Sequence, residues 1–461
     1  MHPYVSVLCL LLTLMFVPAS GRAQAELPER FRLVRLEFQG LQSLSPAVLE
    51  RNLAGRQPPL WKFWVPGPIL EPRDLEMDRQ RIEQVYRSEG FYQAEAAFKT
   101  RRVGDTDDAN RARTEDRDSG LPAVAVVFEV SEGPPVRVDR LELNWDRSIE
   151  SIDSQALKAT LPVQTDRRFR VEDYEAAKQK VRFLLADRGF PFATVGGRAV
   201  VDLNRNRADV FLEIDTGPRS TFGAVRIDQP PSGTDETVLR RALAFREGDP
   251  WSAGKLEVSR RNLLQLDVYQ SVIFERGPAP EKDGGPVPLT LDLKPRQGRS
   301  LQLGIGYGTE DRLRLRAALT WRNMFQKAGQ LTLSARRSSL VETLQLQYRQ
   351  PYFLDSRNTL DARGGVQQED LAAYKTREAF NNVSLTRRFL ENWSWKADYG
   401  LAYTRLDELK VNDPKDVEAL AADRYTLVSA VTGEVVRDTR DDLLNPNEGI
   451  YMKASARLAP E

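Results

Sequence analysis

The chain has 461 residues with 67 basic and 66 acidic side chains, a formal net charge of +1, which disfavours both a strongly basic nucleic-acid binder and an acidic tail. Its one histidine, His2, and its one cysteine, Cys9, both fall in the first 25 residues, which read as a leader. The remainder has no material for a Ser-His-Asp triad, a Cys nucleophile, a disulfide or a His/Cys metal site. The 66 carboxylates are scattered among 67 cations and read as solvated surface, so the expectation is a protein that is not an enzyme and uses no cofactor.

Residues 5–17 are almost wholly apolar, and Ala23-Gln24-Ala25 offers the small side chains of a cleavage site, so residues 1–25 are read as an export signal. About 13 apolar residues fall short of the roughly 20 that span a bilayer as a helix.

Three related blocks are expected next, over 26–136, 137–218 and 219–297, each a strand, two helices and two strands. The opening strands alternate: Val34, Leu36 and Phe38, then Leu141, Leu143 and Trp145, then Val225 and Ile227. The first helices carry Leu49 and Leu53, Leu157 and Leu161, Leu239 and Leu243, pairs that share a helical face. Ser45, Ser154, and Thr234 or Asp235 are the expected caps. The second helices end in Gly90-Phe91 and Gly189-Phe190, where glycine suits a left-handed cap, whereas the third block has Asp267-Val268-Tyr269 and no glycine. Each block closes on an alternating strand: Val124 to Val130, Val210 to Ile214, and Leu289 to Leu293. Block one alone carries Pro58-Pro59-Leu60-Trp61-Lys62-Phe63-Trp64, which fits either buried packing or a partner-docking ridge. It also carries a polar stretch at 104–120 that reads as a mobile loop.

After Gly298 the helical period gives way to long alternating runs. Leu313, Leu315, Ala317, Leu319 and Trp321 face one way, while Arg312, Arg314, Arg316 and Arg322 face the other. Strands are expected near 299–308, 312–322, 329–338, 341–350, 358–368, 377–389, 392–407, 424–436 and 449–458. One apolar and one strongly charged face per run suits a barrel with lipid outside and water inside. Aromatics at run ends (Trp321, Phe325, Tyr348, Tyr352, Phe353, Trp393) fit an interfacial girdle. Connectors are expected to alternate between compact ones such as 326–329 and long charged ones such as 407–423. The strand number is odd, where bacterial single-chain barrels are even, so residues 298–461 are expected to form the N-terminal part of an incomplete antiparallel transmembrane barrel.

Gly248-Asp249-Pro250-Trp251, the run Tyr348-Arg349-Gln350-Pro351-Tyr352-Phe353-Leu354, and the run from Arg437-Asp438-Thr439-Arg440 through Pro446 to Gly449 resemble the BamA-like barrel-assembly family. In that family polypeptide-transport-associated (POTRA) repeats precede an outer-membrane barrel. The count of three repeats resembles its translocation and assembly module branch. The resemblance implies α+β repeats of β-α-α-β-β order in the periplasm and a barrel in the cell outer membrane. It implies structural roles for Pro351, Tyr352, Phe353, Arg437, Asp438, Arg440, Pro446 and Gly449. Its implied partners are outer-membrane lipid, an inner-membrane-anchored TamB-like protein at the repeats, and nascent barrel or autotransporter clients. No nucleic acid is among them.

The family's mechanism implies a weak seam that admits a nascent strand, expected here along Leu301, Leu303, Gly304, Ile305, Gly306 and Gly308. Interior glycines weaken a strand, and a weakly paired edge templates strand addition. Glycines that merely allow curvature or leave lumen space fit the same letters. The expected function is insertion or translocation of other barrel proteins and autotransporters by strand templating at repeat edges and seam. The alternative is a two-partner-type secretion pore for a soluble polypeptide.

Overall fold

A computed structural model describes residues 28–56, 67–103, 121–147, 149, 152–230, 233–372, 374–390, 392–409, 425–442 and 444–459. The expected leader, the Trp-rich insertion, the polar loop at 104–120 and most of the 407–423 connector lie outside them. The chain divides into two compact units. One holds the first repeat and most of the second; the other holds the rest of the second, the third repeat and the barrel strands.

The first repeat comprises β1 (Phe31–Gln39), α1 (Pro46–Glu50), β2 (Ile69–Leu70), α2 (Pro72–Ser88), β3 (Glu95–Arg102) and β4 (Ala123–Ser131), in sheet order β2-β1-β4-β3. The short β2 is an addition to the expected pattern. The second comprises β5 (Arg137–Trp145), α3 (Ser154–Thr160), α4 (Val171–Asp187), β6 (Thr194–Asp202) and β7 (Arg207–Asp215), ordered β5-β7-β6. The third comprises β8 (Ser220–Asp228), α5 (Glu236–Ala242), α6 (Ala253–Gln265), β9 (Tyr269–Arg276) and β10 (Gly285–Pro295), ordered β8-β10-β9. The closing strand lies centrally each time and runs parallel to the opening one. Its central place explains why its apolar residues, such as Val126, Phe128, Val210, Leu212 and Leu291, are buried. Each opening strand carries a bulge at a matching place, beside Leu33, Val138 and Phe222, so the repetition extends to backbone irregularities.

The helices are shorter than the leucine spacing predicts. Leu161 and Leu243 occupy C-cap positions and Leu53 lies beyond its helix, yet Leu49, Leu53, Leu157, Leu161 and Leu239 are all buried. Asp153, not Ser154, caps α3 by accepting the Gln155 N–H. Ser45 sits at its N-cap without a side-chain bond, and Asp235 caps α5 through the Thr237 N–H. Gly90 and Gly189 adopt φ of +92° and +105° after α2 and α4. After α6 the same left-handed place is taken by Asp267 (φ 56°), a residue type whose short polar side chain tolerates it.

The remaining strands are β11 (Arg299–Gly308), β12 (Arg312–Met324), β13 (Gly329–Arg337), β14 (Val341–Pro351), β15 (Asn358–Asp370), β16 (Tyr374–Leu390), β17 (Trp393–Leu409), β18 (Tyr425–Asp438) and β19 (Tyr451–Leu458). They form one antiparallel sheet in sequence order with β11 and β19 at its edges, an incomplete barrel wall. One face is a continuous apolar row: Leu303 opposes Ala317, Leu319 opposes Leu333, Leu333 opposes Leu346, Leu344 opposes Val366, and Tyr399 opposes Val431. Leu315, Leu333, Leu346, Val366, Tyr399 and Val431 stand exposed on it. In water each would forgo roughly 1.5–3 kcal/mol of burial, so a row of this extent belongs against hydrocarbon. Among the described residues no helix is long and apolar enough to cross a membrane. The connector at 325–328 is compact as expected, but the lengths do not alternate strictly: 309–311 and 338–340 at the far end are also tight, whereas 352–357 and 439–450 at the repeat-side end are longer.

Candidate functional site

The edge strand β11 pairs on one side only, from Arg299 opposite Trp321 to Gly308 opposite Arg312. Along its other side no strand pairs with it among the described residues, and a weakly held edge is the condition that invites strand addition. Leu301, Leu303, Ile305 and Tyr307 project from the apolar face at 62–80% exposure. Gly304, Gly306 and Gly308 lie on the other face, directly opposite Arg316, Arg314 and Arg312. A Cβ at Gly304 or Gly306 would meet nothing closer than the Cβ of Arg316 at 3.7 Å or of Arg314 at 4.0 Å. Both contacts are ordinary and neither residue has a left-handed φ, so crowding does not demand glycine at these two positions. What glycine does there is lower the strand's stability, by roughly 0.5–1 kcal/mol per residue relative to Ala. Gly308 differs: a Cβ there would lie 2.6 Å from the Asp311 carboxylate and 2.9 Å from an Arg314 guanidinium nitrogen.

The repeats add further edges. β3, β6 and β9 each end their sheets, and β6 carries Gly196, Gly197 and an exposed Val200.

The motif residues sit at the repeat-side end of the barrel strands. Pro351 closes β14 opposite Thr359, and the Phe353 N–H donates to the Asn358 carbonyl at 3.1 Å. Tyr352, expected in an aromatic girdle, is instead 6% exposed, with φ 52°, and packs in the third repeat's core with Val238, Leu239, Leu263 and Leu266. Trp321, Phe325, Tyr348 and Trp393 do lie together at that end of the strands, and Phe325 meets Tyr348 edge-on at 6.2 Å. The opposite end has its own aromatics, Tyr307, Tyr374, Tyr403 and Tyr425, which sequence reading missed because they are spread over four strands.

The described residues of the Arg437–Gly449 run close β18 and form the turn that follows it. Arg437 lies over the Trp393 ring at 5.5 Å, Asp438 pairs with Arg440 at 2.8 Å, and Arg440 covers Tyr451 at 4.8 Å. The Asp441 carboxylate accepts the N–H groups of Asp442, Asn447 and Glu448, which hold its pKa below the usual range. Gly449 has φ +99°, and a Cβ would come 2.2 Å from the Thr439 carbonyl oxygen, so only glycine fits. Pro446 is exposed within the turn.

Sequence reading also missed a joint between the third repeat and two barrel turns. Ala328 is fully buried beside Tyr352 in the repeat's core. The Asp235 N–H donates to the Gln326 carbonyl at 2.7 Å, Thr234 bonds Asn323 at 3.1 Å, and Lys327 pairs with the Asp235 carboxylate. That ammonium holds the Asp235 carboxyl down at about 2. Arg322 donates to Asp267 at 2.9 Å, Arg296 pairs with the same carboxylate, and Arg241 donates to the Tyr352 carbonyl at 3.3 Å. The residue that replaces the cap glycine of the other repeats is therefore the anchor for two guanidinia, Arg322 of barrel strand β12 and Arg296 at the end of the repeat.

Repeats of this topology ahead of an apolar-faced sheet define a barrel protein with a soluble α+β arm, and comparison with known proteins agrees. Residues 323–460 match the Omp85 superfamily domain, and residues 149–217 match the POTRA family described as surface antigen variable number repeat. The outer membrane protein assembly factor BamA of Neorickettsia risticii is 20% identical over 427 residues, 92% of this chain and 54% of its own. BamA of Neisseria meningitidis serogroup B is 21% identical over 326 residues, 70% of this chain and 38% of its own. The chain thus spans about half the length, or less, of these relatives. The crystal structure of Haemophilus ducreyi BamA lacking POTRA domains 1–3 shares the fold at 18% identity and a TM-score of 0.53, covering 70% of this chain and 64% of that one. Residues 323–460 and 149–217 therefore resemble the Omp85 and POTRA domains, and the chain as a whole is similar to BamA proteins. It is an outer-membrane β-barrel protein with periplasmic POTRA repeats. The repeat-side turns, including the joint, accordingly face the periplasm.

Proposed function

We propose that the protein is an outer-membrane assembly factor of the translocation and assembly module type, a TamA-like subunit. It helps insert or translocate other barrel proteins and autotransporters by offering strand edges, without covalent chemistry. The observation that carries this reading is the glycine pair in β11: Gly304 and Gly306 weaken that strand although packing does not require glycine at either, and among the described residues only β12 pairs with it. An incoming strand gains main-chain hydrogen bonds there and keeps its apolar residues on the lipid side. The POTRA edges β3, β6 and β9 supply earlier pairing sites in the periplasm, and a TamB-like inner-membrane-anchored protein is the partner proposed for the repeats. Liposomes containing the full chain are expected to accelerate insertion of an unfolded client barrel over empty liposomes. Equal rates would overturn the reading, and release of a soluble exoprotein into the liposome lumen without client insertion would favour a two-partner-type secretion pore.

A further inference from the structure

The water-facing side of the seam is built as a row of glycines beside a row of arginines, Gly304, Gly306 and Gly308 against Arg316, Arg314 and Arg312. Arg336 stands opposite Arg316 on the next strand, a like-charge cross-strand pair that disfavours the empty sheet. The acids facing this corner are Asp311, which pairs with Arg314 and lies 3.8 Å from Arg336, and Glu310 in the same turn. Four guanidinia therefore face two carboxylates, and among the described residues Arg312 and Arg316 have no ion-pair partner. Arg314 already shows what the glycines permit: its guanidinium, paired with Asp311, lies 2.9 Å from where a Gly308 Cβ would stand, in space that a side chain at that position would fill.

An incoming strand on the free side of β11 would lie two strand spacings from β12, about 10 Å. A side chain on β11 would block that path; glycine leaves it open. We propose that Arg312, Arg314 and Arg316 reach over the glycine row and select incoming strands that carry carboxylates at their water-facing positions. This deepens the strand-templating reading and rests on it. The glycines then have a second use besides weakening the strand: they clear the way for guanidinium to meet carboxylate across the seam. Such a pair forms on the exposed, water-facing side, where salt screens it, and it relieves the Arg316–Arg336 opposition at the same time.

The test uses the full chain in liposomes with Cys9→Ser and Leu303→Cys. Ten-residue amphipathic strand peptides carry one cysteine on the apolar side and Asp, Asn or Lys at the water-facing positions. Disulfide trapping at position 303 is expected to rank Asp above Asn above Lys, by up to about fivefold per opposed pair. The ranking should narrow as salt is raised. It should flatten in the Arg314→Gln/Arg316→Gln variant and weaken in Gly306→Leu, which keeps the arginines and blocks their path. Equal trapping of Asp and Asn peptides, or a ranking that survives Arg314→Gln/Arg316→Gln, would overturn the acidic preference and leave strand templating standing. No trapping of any peptide would defeat the templating reading and this inference with it.

Discussion

Tyr352→Ala should detach the third repeat from the barrel turns. The ring is 6% exposed and lies among Val238, Leu239, Leu263, Leu266 and Ala328. A buried aromatic covers 150–250 Å², which at about 25 cal/mol per Å² is roughly 4–6 kcal/mol as an upper bound. Truncation of buried Phe or Trp to Ala costs about 3–5 kcal/mol, and alanine at φ 52° adds strain that tyrosine bears equally. A loss of about 3 kcal/mol raises the opening equilibrium about a hundredfold. Hydrogen–deuterium exchange on the full chain in detergent should show this at amides of 235–243 and 323–328, with β13 to β17 unchanged. Tyr352→Phe keeps the ring and should stay within about 1 kcal/mol of the parent. Unchanged exchange in Tyr352→Ala would refute the joint as a packed contact, and equal loss in both variants would show that the hydroxyl, not the ring, holds it.

The remaining predictions concern the same joint and the seam. Asp267→Gly should relieve the left-handed backbone yet lose both guanidinium partners, whereas Asp267→Ala should lose the partners and add about 1–2 kcal/mol of strain; the difference between their melting midpoints measures the conformation alone. Asp235 has a folded pKa depressed to about 2 by Lys327, so its contribution is present above the ordinary carboxylate pKa near 3.8 and is lost as pH falls from there through about 2. Docking of the repeat, read by exchange at 323–328, should therefore hold from neutrality to about pH 4 and loosen below it, and Asp235→Asn should remove that acid-dependent step. Gly304→Ala and Gly306→Ala should each firm β11 by about 0.5–1 kcal/mol, visible as slower exchange of its amides, and should slow client insertion; faster insertion would contradict the weak-seam mechanism.

The barrel strands were legible because each keeps one apolar row for lipid, and an alternation sustained over about ten residues leaves little freedom of register. Observed and expected strand limits differ mainly at ends, as in β12, which runs to Met324 rather than 322. The repeats were legible through recurring leucines and turn glycines, but helix ends were not. Leu161 is buried and Leu243 half-buried as C-caps, where packing continues although the helical hydrogen bonds have stopped. The joint was hidden for a different reason. Tyr352 beside Pro351 and Phe353 reads as a membrane-interface aromatic, and only the third repeat folded against the turn shows its ring leaving the girdle. Asp267 looked like a missing cap glycine; its worth comes from Arg296 and Arg322, which are distant in sequence and close only in the fold. The edge at β11 was suggested by glycine spacing, but the open space around Gly304 and Gly306 needed coordinates.

The most direct measurement of seam templating is site-specific trapping of a client barrel during insertion. The full chain, Cys9→Ser, would carry a single cysteine at Leu303 on the edge strand or at Leu346 on the interior strand β14. Disulfides to a terminal strand of the client at 303 and none at 346 are the expected result. Equal capture at both positions, or capture at neither while insertion proceeds, would contradict it.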